Sequence, residues 1–220
     1  MTTDMEPASV DGNDSPRQQT VTRSSTPDPS VDDLHHRLIG LVRAQPWFMA
    51  ALAAVRGLQL APWCIGAGAV RNLVWDALHG HVAPALPNDV DVAFFDPLDL
   101  SPARDAVLQR RLAAALPDVP WEVTNQAGVH LWFEHVFGHA VPPLQSLEDA
   151  VASWPEYATA VGLRLEADDA LTVIAPHGLQ DLFDGVVRRN PARVSVETYR
   201  QRVAQKRYTE RWPKVRVVPA

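Results

Sequence analysis

The sequence predicts a mixed chain, α+β or α/β, and two observations say so. Several stretches repeat apolar residues at helical spacing, and short β-branched or aromatic runs lie between them. The composition suits a globular domain: 46% of the 220 residues are hydrophobic and 21% are charged. A chain of this length buries enough surface to fold without disulfides or a structural metal.

Taken in order, residues 1–30 are Ser, Thr, Asp, Pro and Gln with little to bury, so a disordered tail is expected. One domain is expected over 31–220. Asp32 or Asp33 caps a helix carrying Leu34, Leu38, Leu41 and Val42. Pro46 interrupts it, and a second helix carries Phe48, Leu52 and Val55 to Gly57. Trp63–Ile65 is a short strand that runs through Gly66-Ala67-Gly68 into a helix with Val70, Leu73, Val74 and Leu78. Residues 79–88 form a loop, and Asp89–Phe95 is a strand. Leu100–Leu116 is a helix with Ser101 as N-cap and Pro102 in the first position. Trp121–Thr124 is a strand, with His130–Phe133 as its hairpin partner. Helical pieces are expected over 144–151 and 153–161, strands over 163–166 and 171–174, and helix over 178–187. A basic helix over Glu197–Trp212 is stopped by Pro213.

The single cysteine, Cys64, excludes an intramolecular disulfide and any multi-cysteine zinc site. Its apolar neighbours suggest a buried thiol in a reducing compartment. No apolar run approaches a membrane span and the N-terminus has no signal-peptide core, so a cytoplasmic protein without membrane partners is expected. The net charge of −6 is uneven. Residues 188–216 hold ten bases against two acids, a net +8, while residues 1–187 hold ten bases against 24 acids, a net −14. A basic end on an acidic body implies a phosphate-bearing partner or pairing between the two parts.

The richest stretch is Asn88-Asp89-Val90-Asp91-Val92-Ala93-Phe94-Phe95. Residues i and i+2 of a strand share a face, so Asp89 and Asp91 project together, roughly 7 Å apart, with Val90, Val92 and Phe94 opposite. Either that face meets water, or a divalent cation such as Mg²⁺ neutralises the pair through hard oxygen ligands. Upstream, the small residues of Gly66-Ala67-Gly68 open a helix whose N-terminus attracts anions, with Arg71 in its first turn. Downstream, Glu122 sits between Trp121 and Val123 and is placed to complete a three-carboxylate cage. Asn125, Gln126 and His130 follow, to read a base, hold an acceptor, or satisfy backbone groups at the strand end.

Two other sites are disfavoured. A dinucleotide fingerprint needs a third glycine where Arg71 stands. His135 and His139 have zinc-ligand spacing, but Gly138 lies between them.

Together the motifs resemble the polymerase-beta-like nucleotidyltransferase superfamily, and within it a bacterial family of nucleotidyltransferases. The matching residues are Gly66-Ala67-Gly68-Ala69-Val70-Arg71-Asn72, Asn88-Asp89-Val90-Asp91-Val92, Trp121-Glu122-Val123 with Asn125-Gln126 and His130, Gly178-Leu179 with Asp181, and Arg188 with Asn190-Pro191. The resemblance implies an α+β fold in which a small mixed sheet bears a three-carboxylate metal site and helices flank it. It implies transfer of a nucleoside monophosphate from a nucleoside triphosphate to an acceptor (RNA, protein or small molecule), with pyrophosphate released. Asp89, Asp91 and Glu122 would be catalytic and hold Mg²⁺ or Mn²⁺. Gly66, Ala67, Gly68, Arg71 and Asn72 would bind the triphosphate, with Asn125, Gln126 and His130 nearby for base or acceptor. The alternative is a catalytically weak nucleotide- or RNA-binding module on the same fold. The turn differs from the superfamily's usual Gly-Gly or Gly-Ser, so it lacks a serine hydroxyl.

Overall fold

The computed structural model describes residues 30–60, 62–81 and 86–220. All of the expected N-terminal tail except Ser30 lies outside them. Ser30, rather than Asp32 or Asp33, caps α1 (Val31–Arg43): its Oγ accepts from Asp33 N–H while Asp33 reaches back to Ser30 N–H, a capping box. The aspartates then occupy the first turn, where negative charge complements the helix dipole. Pro46 opens α2 (Pro46–Arg56) at the one helical position that needs no N–H.

Strand β1 (Trp63–Gly66) leads into α3 (Gly68–Leu78), and β2 (Val90–Phe94) follows the 79–89 connection. Helix α4 (Pro102–Ala115) returns the chain to β3 (Trp121–Asn125). After β3 the expected hairpin does not form. Asn125 Oδ1 accepts from Ala127 N–H and turns the chain through a single 3₁₀ turn into α5 (His130–Phe137). Helix α6 (Leu147–Ala152) follows; of the second piece expected over 153–161, only residues 157–159 are helical, as a 3₁₀ turn. Strands β4 (Gly162–Leu165) and β5 (Leu171–Ile174) are hairpin partners. The 178–187 stretch divides into α7 (Gln180–Phe183) and β6 (Val186–Val187). The expected single basic helix is two, α8 (Val196–Lys206) and α9 (Tyr208–Arg211), because Arg207 takes φ 50° and ends the first. Strand β7 (Arg216–Val217) pairs with β6.

The main sheet runs β3-β2-β1-β4-β5, with β2 and β3 parallel and the other pairs antiparallel. It is the small mixed sheet expected. One face is apolar: Trp63, Ile65, Val90, Val92, Phe94 and Val123 join the helices in the main core. The strand period of two then sends Asp91 and Glu122 to the other face. There Cys64 and Ala93 pack with Leu147 and Val151 of α6, and burial pushes the Cys64 thiol far above its usual range. No single described helix is long and apolar enough to cross a membrane.

Candidate active site

The second face of the sheet opens into a cavity of about 300 Å³. Asp89, Asp91 and Glu122 line it, together with Ala67, Gly68 and Arg71. Register explains the acids. Asp91 on β2 pairs with Glu122 on the parallel β3, so their side chains leave the sheet side by side. Asp89 stands just before β2, which begins one residue later than expected, and still reaches the same space.

The acids feel one another. Burial first, then the charges of Asp89 and Glu122, push the Asp91 carboxyl up to about 6. Lys206 Nζ lies 4.0 Å from Asp89 Oδ2 and works the other way, as does Arg71. Three carboxylates around one cavity are a hard-oxygen donor set that suits Mg²⁺ or Mn²⁺. The cage is not preassembled: among the described residues, no three acidic, histidine or cysteine side chains stand close enough to grip one ion. The donor chemistry and the shared cavity fit a divalent metal.

The β1–α3 turn is shaped from both sides. A Cβ on Gly66 would meet the Trp154 ring at 2.6 Å and Val161 O at 2.7 Å, so only glycine fits. Ala67 is held at φ 51°, ψ −118°, a conformation L-residues avoid, and its N–H donates to Val161 O at 3.1 Å. Among the described residues no side chain caps α3, so its first-turn N–H groups depend on an outside acceptor. A Cβ on Gly68 would lie 3.4 Å from Asp89 Oδ1 and 3.7 Å from Arg71 Nη2. Acid and guanidinium therefore flank the helix start, which suits a metal-bound phosphate.

Arg71 is only 6% exposed. Its guanidinium sits 5.1 Å from the Tyr208 ring, 5.5 Å from Trp75 and 5.9 Å from Trp212. Asn72 accepts from Arg71 Nη2 at 2.8 Å, and Arg71 Nε is buried without a partner. The aromatic box depends on Asp76, which accepts from Trp212 Nε1 at 2.8 Å and Arg211 Nη2 at 3.0 Å, tying the C-terminal segment to α3. Much of the basic end is thus paired with the acidic body. Arg188 binds Asp181 and Arg202 binds Glu156 in the same way. Asp184 accepts from Gln180 Nε2 at 2.9 Å.

The remaining expected residues divide. Gln126 lines the cavity. Asn72 does not; it orients Arg71. Asn125 is spent on the backbone, accepting from Asp96 and Ala127 N–H and donating to Asp96 and Asp99 carbonyls. His130 lies at the start of α5, away from the acid cavity, with Nδ1 buried and unpartnered. Gly66 shapes the turn beneath Trp154 rather than the cavity wall.

Sequence reasoning missed Trp154, Thr159, Arg202 and Lys206, which also line the cavity. The basic run of residues 188–216, read as meeting a phosphate-bearing partner or pairing with the acidic body, was a signal for the last two. Trp154 had none: it is held by Asn190, whose Nδ2 donates to the Trp154 and Ala152 carbonyls, a contact between distant segments.

Residues 53–217, most of the chain, match a family described as nucleotidyltransferase. The chain belongs to that family. The nucleotidyltransferase is also similar to a solved structure described as a protein whose NMR structure reveals a CCA-adding enzyme head domain. That match has 30% identity over 84% of this chain and 96% of the other, with a TM-score of 0.71. Two more distant likenesses are a CCA-adding enzyme with CTP (13% identity, TM-score 0.49) and a tRNA-processing enzyme in an apo form (18%, 0.46). They cover 84% and 76% of this chain, which spans 43% and 42% of theirs. No curated protein matches the sequence. The superfamily fold expected from the motifs is the fold observed.

Proposed function

We propose that this nucleotidyltransferase moves a nucleoside monophosphate from a nucleoside triphosphate to a hydroxyl acceptor, using Mg²⁺ or Mn²⁺, with release of pyrophosphate. One observation carries the reading: three carboxylates share a single cavity with the uncapped N-terminus of α3, Arg71 and Lys206. Anion-binding and cation-binding groups meet in one space, as a metal-bound triphosphate requires.

Asp89, Asp91 and Glu122 would hold the metal. When bound, it supplies charge neutralisation at the phosphates and a lowered pKa for the acceptor hydroxyl. The first-turn N–H groups of α3 hold the terminal phosphates, and Arg71 and Lys206 offset their charge. The acceptor oxygen bonds to the α-phosphorus as the bond to the pyrophosphate oxygen breaks. The hydroxyl proton passes to a cavity carboxylate or to water.

The test incubates the protein with each labelled ribonucleoside triphosphate, Mg²⁺ or Mn²⁺, and an extract containing RNA, proteins and metabolites. Metal-dependent labelling of one fraction is expected, and the fraction identifies the acceptor class. No transfer from any of the four triphosphates, with nucleotide binding intact, would leave a nucleotide-binding module instead.

A further inference from the structure

Beside the acid cavity lies a second of about 230 Å³, and the two share Thr124, Gln126, Trp154, Pro155 and Arg202 as a common wall. The first is lined by charged groups. The second is lined by rings: Trp132, Phe133 and Phe137 of α5 join Trp154. The Phe133 and Phe137 rings lie 4.5 Å apart, while Trp132 and Phe137 remain 42% and 40% exposed. One cation, Arg193, serves this space apart from the shared wall. Its guanidinium lies 5.6 Å from the Phe133 ring and its Nη2 donates to Pro142 O at 2.6 Å. Its Nη1 is buried with no hydrogen-bond partner among the described residues.

The side on which this cavity lies assigns its occupant. Strands β1, β2 and β3 are adjacent in that order. The phosphate turn is at the end of β1, Asp91 is on β2 with Asp89 just before it, and Glu122 is on β3. An in-line displacement brings the incoming hydroxyl to the phosphorus from the side opposite the leaving pyrophosphate. With pyrophosphate over β1, that side is β3. Along β3 from Glu122, the next residue of that face is Thr124, and Gln126 follows just past the strand's end; both belong to the wall shared with the second cavity, which therefore opens on the β3 side.

We propose that this ring-lined cavity is the acceptor subsite. The acceptor is a small molecule with a flat aromatic ring, whose anionic edge meets Arg193 and whose hydroxyl reaches past Gln126 toward Glu122. The inference rests on the transferase reading above. Its size suits one ring system, since about 150 Å³ already admits benzene. In the basic end, Arg188, Arg202 and Arg211 are held by Asp181, Glu156 and Asp76, which leaves fewer cations for an RNA backbone.

The experiment titrates the full chain with 4-hydroxyphenylacetate, by ligand-observed NMR, with and without a saturating non-hydrolysable nucleotide analogue and Mg²⁺. N-acetyltyrosinamide is the neutral control. The carboxylate probe is expected to bind in both conditions. Trp132→Ala should weaken it at least tenfold, Arg193→Gln should erase its advantage over the amide, and Thr198→Trp, which fills the cavity, should abolish it. Nucleotide affinity should move less than twofold in each variant. Mutual exclusion of probe and analogue would make the cavity the nucleotide's base slot and overturn the proposal. Failure of both probes to bind while the analogue binds would remove the subsite alone, as would probe binding unchanged in Thr198→Trp. Failure of every analogue to bind would instead remove the transferase reading, and the subsite with it.

Discussion

Asp91 and Glu122 are direct register partners on parallel strands β2 and β3, so two carboxylates project together from one face of the sheet. Asp91 is the more perturbed, pushed up to about 6 by burial and by the charges of Asp89 and Glu122. The sign follows from linkage. The folded state holds the Asp91 proton more tightly than the unfolded state, so the cost to stability is absent below the carboxyl's ordinary value of 3.8 and full above about 6. Asp91→Asn should therefore raise the metal-free stability at pH 8 by on the order of 1–3 kcal/mol, read as a higher melting temperature, and change little at pH 3.5. Under the proposed function the same variant should slow transfer by about 10²–10³-fold. Equal melting temperatures at pH 8 would show that Asp91 carries no such burden.

The two outer glycines of the turn should respond differently. Gly66→Ala has no room, with Trp154 and Val161 O within 2.7 Å, so it should lower stability by about 1–3 kcal/mol or more, measured by urea unfolding. At Gly68 the neighbours are Asp89 at 3.4 Å and Arg71 at 3.7 Å, which is ordinary contact distance. Gly68→Val should keep the fold by circular dichroism and weaken nucleotide binding at least tenfold. Undiminished nucleotide affinity in folded Gly68→Val would remove the turn from the binding site.

Much of this site was legible because strands and helix starts encode direction locally. The alternation Asp89-Val90-Asp91-Val92 fixes which side chains face the core, and burial of Val90 and Val92 follows that rule. What was not legible depends on contacts between distant segments. Trp154 reaches Gly66 only because Asn190 holds its backbone, and Lys206 reaches Asp89 only because the C-terminal segment folds back onto α3 through Asp76. Asn125 misled for a related reason. An asparagine at a strand end serves a ligand or the chain equally well by its chemistry, and here four backbone groups take it. The break at Arg207 is likewise set by packing, since a positive φ at arginine has no local signal.

Ala67 stands at φ 51° and ψ −118°, where glycine is at ease and alanine is strained. Ala67→Gly should stabilise the protein by about 1 kcal/mol, the strain relief exceeding the added freedom of the unfolded chain. Thermal unfolding at neutral pH reads this directly. A lower melting temperature would mean that the surrounding structure accommodates the alanine without strain.

The pair Arg202–Glu156 links α8 to the turn that follows Trp154. Arg202 Nε and Nη2 donate to the two Glu156 oxygens at 2.9 and 3.2 Å, and Glu156 is 1% exposed. Thr159 Oγ1 also donates to Glu156 Oε2 at 3.0 Å, but a hydroxyl does not neutralise the charge. Arg202→Met should leave a buried carboxylate unpaired and cost about 3–5 kcal/mol, because removing one partner exposes the desolvation of the other. Adding Glu156→Gln removes that charge, so the double variant should recover at least half of the loss in urea unfolding. If single and double variants were equally unstable, packing of the arginine stem rather than charge would hold this wall of the cavity. Both variants should also bind nucleotide more weakly, because Arg202 lines the cavity and the turn it anchors carries Pro155 and Thr159, which line it too.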